Sequence, residues 1–248
     1  MGRIILVTGG NRRSFENYSP RSLAYLEPTP SSPFWLDLLS PSERFLHRLS
    51  IPLKFHPQAL RACSSRHRKP GCEDFGHYLF IKASLLEPSK KNMFIQYDMK
   101  VFLSSEYLIT IHERRGPLLR LLPAVQELGF DHTGSLLLAI FDESICRLIK
   151  SLSSEGDCED VPTCKEGLLN KNPLWWRLRN FRAALLRQVN LVHELAFVGA
   201  RFFNPDDRST FGSIRAKICF LSDMITGLLS RMDPSLNVIF EQGEERTS

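Results

Sequence analysis

The sequence predicts an α/β fold: a mixed β-sheet flanked by helices, followed by long antiparallel helices and a C-terminal stalk helix. Two observations carry most of this. Apolar runs of strand length, separated by turn residues, fill the chain up to about residue 116. Beyond it, apolar residues recur at helical spacing, ending in a stripe at Phe211, Ile214, Ile218, Leu221, Ile225, Leu228 and Met232. The expected organisation is a sheet domain over 1–116, a long-helix region packed on it over 117–207, a stalk helix over 208–234 and a polar tail over 235–248.

Residues 3–8 read as a buried strand that runs into Gly9-Gly10. A dinucleotide-binding turn would need a third glycine and an apolar helix next. Asn11-Arg12-Arg13-Ser14 follows instead, so the reading is a plain strand and turn. Residues 15–33 hold four prolines and read as irregular connection, with a short strand at Leu23 to Leu26. Phe34 to Leu38 is the next strand. Ser40 with Glu43 fits a capping box for a helix from Pro41 to about Leu49. A second short helix opens at His56-Pro57, and Lys69-Pro70-Gly71 turns the chain. Strands at Tyr78–Leu85, Met93–Leu103 and Tyr107–His112 follow, the last two joined as a hairpin by Ser104-Ser105-Glu106.

Helices are expected over Leu118–Leu128, from Thr133 to about Leu152, and from Pro173 to about Phe203. A polar loop over 153–167 lies between the last two. Asn204-Pro205 breaks the third, and the closing stripe begins. Its steps of three and four suit a helix packed on another helix. Two uses fit this periodicity: docking on its own domain, or a stalk that assembles with copies of itself. The second assigns the seven stripe residues to a homo-oligomer interface. Asp206-Asp207 stands at its head, where acids favour a helix N-terminus.

Composition excludes several classes. The net charge of +5 is mild, and the one dense basic cluster, Arg66 to Lys69, lacks interleaved aromatics, which argues against nucleic-acid binding. The longest apolar run, Leu136 to Phe141, falls far short of the ~20 residues of a spanning helix. With no leader pattern either, a cytoplasmic location is expected. Six cysteines without a C-x-x-C pair read as reduced thiols. No nucleophile triad, P-loop or spaced histidine pair points to an enzyme.

Four blocks in order resemble the cytosolic N-terminal domain of CorA-type magnesium transporters. They are Phe34-Trp35-Leu36-Asp37 with Phe55-His56-Pro57-x-x-Leu60; Lys69-Pro70-x-x-Glu73-x-Phe75-x-x-Tyr78-Leu79-Phe80-Ile81; the hairpin Val101 to Glu113; and Leu136 to Asp142. Phe202-Phe203…Asp206 and the closing stripe sit where that family has its last cytosolic helix. The resemblance implies homopentamers, a stalk that runs on into the membrane, and a pore with a Gly-Met-Asn signature that these 248 residues do not contain. Membrane contact would then come only through a segment absent from this chain, and the chain alone would not conduct ions.

The resemblance also implies a regulatory Mg²⁺ site between neighbouring subunits, with a ligand at Asp206, Asp207 beside it, and partner acids after the His-Pro block. There this sequence has Leu60-Arg61-Ala62, and a further acidic pair of the family falls at Cys146-Arg147. The implied function is a metal-sensing, gating domain with weakened metal control. The alternative is a pore-less CorA-like interaction module.

Overall fold

The computed structural model describes residues 4–8, 14–16, 33–65, 69–89, 93–113, 130–154 and 173–232. Among the described residues seven strands form one sheet: β1 (Ile4–Thr8), β2 (Ser14–Glu16), β3 (Phe34–Leu39), β4 (Gly71–Asp74), β5 (Leu79–Ser89), β6 (Met93–Leu103) and β7 (Tyr107–His112). Their order is β2-β1-β3-β7-β6-β5-β4. Only β3 and β7 run parallel, with Leu36 opposite Ile109; the other neighbours are antiparallel. The sheet is therefore mixed, as the sequence predicts. Among the described residues five α-helices accompany it: α1 (Glu43–Leu53), α2 (Pro57–Ser64), α3 (Thr133–Ser154), α4 (Pro173–Val198) and α5 (Asp207–Met232).

Alternation along the strands gives the sheet two apolar faces, as the period of two requires. Phe34, Leu36, Phe80, Phe102 and Ile109 lie under α1 and α2. Trp35, Leu79, Ile81, Val101 and Leu108 lie under α3, α4 and α5. The molecule is thus three layers, with helices covering both faces of a mixed sheet. Because both faces of the sheet are covered, β5 to β7 read as near-continuous apolar runs, and their sequence boundaries hold to within a few residues. The edge strands β2 and β4 escaped the sequence reading: Ser-Phe-Glu and Gly-Cys-Glu-Asp carry no apolar alternation.

The start of α1 differs from the expectation. Its cap is Ser42, whose hydroxyl accepts from the Phe45 amide at 3.3 Å. Ser40 sits at φ 47° and is committed to the sheet: its amide donates to the His112 carbonyl and its hydroxyl to the Glu113 carbonyl. The chain must leave β3 before it can turn helical, so the helix starts later than the motif suggests. Ser42→Ala is expected to cost about 1 kcal/mol, the usual loss of an N-cap, read as a lower urea midpoint with unchanged slope. At α2, His56 caps as placed: its Nδ1 accepts from the Gln58 amide at 3.2 Å, and Pro57 takes the first turn.

The long helices also end slightly differently from the reading. α3 runs to Ser154, and α4 stops at Val198 before a short 3-10 turn at Ala200–Phe202. The expected Leu23–Leu26 strand, the Leu118–Leu128 helix, nearly all of the 153–167 loop and the 235–248 tail lie outside the described residues.

Candidate functional site

The head of α5 is where the family resemblance places a metal ligand, Asp206, with Asp207 beside it. It is built by three consecutive residues at the start of α3. Thr133 donates its hydroxyl to the Ser104 carbonyl in the β6–β7 turn. Gly134 lies so close to the Phe202 carbonyl that an added Cβ would fall 2.2 Å from it. Ser135 donates to Asp207 Oδ2 at 2.9 Å. One helix turn thus fixes the hairpin, the α4–α5 corner and the start of α5.

Asp206 and Asp207 diverge. Asp207 is 7% exposed, and its Oδ2 also accepts from the Asn204 amide at 2.8 Å. The Asp207 amide in turn donates to the Asn204 carbonyl at 3.0 Å. The Asp207 carboxylate thus makes one half of a capping box, the bond back to the residue three positions earlier, while the Asn204 carbonyl, not its side chain, takes the Asp207 amide; Pro205 is pre-set for the first turn. Asp206 is exposed, and its carbonyl accepts from the Ser209 hydroxyl. The pair therefore does not present two carboxylates to one ion: Asp207 satisfies buried donors, and only Asp206 meets solvent.

The other positions tied to metal binding by resemblance lie elsewhere. Arg61 is exposed and Ala62 half-buried on α2, on the sheet face opposite α5. Arg147 on α3 lies 3.5 Å from Glu87, and the Cys146 thiol donates to Asp142. Asp142 is held by Lys217 at 2.6 Å, tying α3 to α5. This contact pushes the Lys217 amine above its usual range. Among the described residues no group of three or more histidines, cysteines or carboxylates is placed to hold a metal ion. Mg²⁺ takes oxygen ligands in near-octahedral order and keeps several waters. A single exposed carboxylate, Asp206, offers one such ligand at the head of α5.

The stripe on α5 requires a correction. Ile214, Ile218, Leu221, Ile225, Leu228 and Met232 are buried and Phe211 half-buried, all in the core shared with α3, α4 and the sheet. Helix periodicity records that a face is covered, not by which chain. Here α4 and α3 of the same chain cover it. The seven residues assigned to an oligomer interface are an internal seam. The opposite side of α5 shows Arg215, Cys219, Phe220 and Asp223 to solvent.

Sequence reasoning missed one buried polar network. The Asp37 carboxylate accepts from the Thr110 hydroxyl at 2.5 Å and from His112 Nε2 at 2.9 Å, and Thr110 accepts from the Trp35 indole at 3.0 Å. Asp37 and His112 are 3% and 5% exposed. They lie on neighbouring parallel strands yet 75 positions apart, so no local motif marks them.

A profile of the family described as CorA-like Mg²⁺ transporter protein matches residues 31–154, half of the chain. The chain belongs to this family.

The CorA-like match ends at the last residue of α3. Solved structures extend the likeness through α4 and α5. The soluble domain of CorA from Methanocaldococcus jannaschii superposes with a TM-score of 0.68 at 16% identity, over 94% of this chain and 95% of that one. The cytoplasmic domain of ZntB from Vibrio parahaemolyticus RIMD 2210633 gives 0.72 at 10% identity, over 99% and 100%. Full-length CmaX gives 0.73 at 14% identity, over 99% of this chain and 78% of that one. At these identities the structural likeness concerns the fold. No curated protein matches the chain significantly in sequence. Among the described residues no helix is long and apolar enough to cross a membrane.

Proposed function

We propose that this chain is a regulatory domain of a CorA-like divalent-cation transport protein, on its cytoplasmic side, in which Mg²⁺ control is weakened. Family membership and a CorA-type fold over almost the whole chain support the first part. The second rests on one observation: the head of α5 offers a single free carboxylate, Asp206, because Asp207 is consumed inside the fold. A subunit-bridging ion would need partner acids. Arg61 and Ala62 stand where the family resemblance places them. An arginine there repels a cation that a carboxylate would hold.

The test is mass in solution by light scattering, first with Mg²⁺ and then with chelator. The expected result is a mass unaffected by Mg²⁺, with a dissociation constant no tighter than millimolar by titration calorimetry. A Mg²⁺-dependent pentamer or micromolar binding would overturn the weakened-control reading. A second reading, an interaction module without transport, is favoured by the internal burial of the α5 stripe, which leaves the chain self-sufficient. Co-purification with apolar spanning segments encoded on the same polypeptide would eliminate it.

A further inference from the structure

On the α1–α2 side of the sheet lies a cavity of about 200 Å³. Its walls include Ser40, just past β3, Ile111 of β7, Leu46 of α1, Cys63 and Ser64 of α2, and Lys100 of β6. It opens at the carboxyl ends of the parallel pair β3–β7, the place where open α/β sheets take ligands. It is also on the opposite face of the sheet from α5 and Asp206.

Lys100 is 3% exposed and lines this cavity. Among the described residues no carboxylate pairs with its amine and no hydrogen bond holds it. Its register partner on β5 is another lysine, Lys82. Lys82 has a counter-ion, Glu73 at 2.6 Å. Like charges opposite one another in a sheet repel, so the unpaired member of this couple sits in an unfavourable field. The nearby thiol does not relieve it. Burial pushes Cys63 up to about 12, so it remains neutral at pH 7 and supplies no negative charge. Glu113, at the rim, is exposed and makes no ion pair with Lys100. A buried cation without a partner is costly, and a fold that keeps one beside a cavity has room for its counter-ion.

We propose that this cavity binds a small oxyanion, of the size of phosphate or acetate, with Lys100 as its counter-charge. Leu46 and Ile111 give the cavity an apolar wall, and the lower local dielectric strengthens the attraction. The volume admits a free anion and excludes a nucleotide: a cavity of about 150 Å³ holds a benzene-sized ligand.

The experiment is thermal unfolding of the full chain against increasing phosphate, against acetate, and against chloride at matched ionic strength. The wild-type midpoint is expected to rise by roughly 5 °C near hundredfold saturation with the oxyanion, beyond the chloride control. Lys100→Met should abolish the rise and unfold at a higher temperature than wild type in chloride, because the unpaired charge is gone. Lys100→Arg should retain part of the response. A rise with acetate alone assigns the site to carboxylates, and one with phosphate alone to phosphate; either supports the proposal. Equal responses in wild type and Lys100→Met, or no response to either oxyanion, overturn it. Should Lys100→Met fail to fold, Ser64→Asp puts a fixed carboxylate at the wall. Phosphate binding heat must then vanish relative to wild type, and persistence of that heat overturns the proposal.

Discussion

Replacing Asp37 with alanine is expected to lower the unfolding free energy by about 2 to 6 kcal/mol, the sum for two buried donors left unsatisfied at about 1 to 3 kcal/mol each. The variant deprives two buried donors at once: His112 Nε2 and the Thr110 hydroxyl. Neither reaches water, since Thr110 is fully buried and His112 5% exposed. Asp37→Asn should cost less, because its amide oxygen still accepts from one donor. Thr110→Val tests the next link, since it leaves the Trp35 indole N–H without its acceptor; a loss of about 1 to 3 kcal/mol is expected. Urea unfolding at pH 7 gives all three values. An Asp37→Ala variant within 1 kcal/mol of wild type would show that the network is incidental to stability.

Gly134→Ala should also be strongly destabilising, by about 3 kcal/mol, although helix propensity alone predicts the opposite sign. In a helix interior alanine is favoured over glycine by about 1 kcal/mol. Here the new Cβ would meet the Phe202 carbonyl oxygen at 2.2 Å and Phe203 Cδ1 at 2.7 Å. The first is backbone and cannot rotate away. The Ala200–Phe202 turn must move, and with it the Asn204 corner and the hydrogen bonds of Asp207. Overpacking of this kind costs about 1–3 kcal/mol and sometimes more, which outweighs the propensity gain. Thermal unfolding of the variant decides the sign: a higher midpoint than wild type would mean that the corner yields freely. Gly212→Ala, on the open side of α5, is the matched control, because nothing lies within 4 Å of its added Cβ.

The two substitutions mark what could and could not be read from the chain. Strands β5, β6 and β7 were legible because a strand buried on both faces reads as a continuous apolar run bounded by turn residues. The helices α3 to α5 were legible because three- and four-residue steps survive any choice of packing partner. For the same reason the partner was not legible, and the α5 seam reads equally as a stalk or as a docked helix. Ser40 and Ser42 are both competent caps by residue type. The choice between them is made by the Ser40 bonds to β7, which are contacts across 73 positions. Asp206 and Asp207 look interchangeable in sequence. Ser135 separates them, and it lies 72 positions away from Asp207. Lys100 lies inside a strand the sequence places correctly, but that no carboxylate among the described residues pairs with it appears only when β5 and β6 pair and both lysines share a face.

The single parallel pair, β3 with β7, sets a constraint on how the molecule reaches this state. Strands β4 to β7 form an antiparallel meander whose pairings are local, and such hairpins close within microseconds. β3 has no comparable neighbour in sequence on the β7 side. It must wait for β7 to exist and then close a loop that contains α1, α2 and the meander. Closure of that loop carries entropy before any strand contact repays it, so high-contact-order docking of β3 is the slow event on the folding path. Until it occurs, the β7 edge is an unpaired ladder, open to strands of other molecules. During synthesis β3 emerges long before β7; β1, already made, can pair with one of its edges, and the other stays open until β7 arrives.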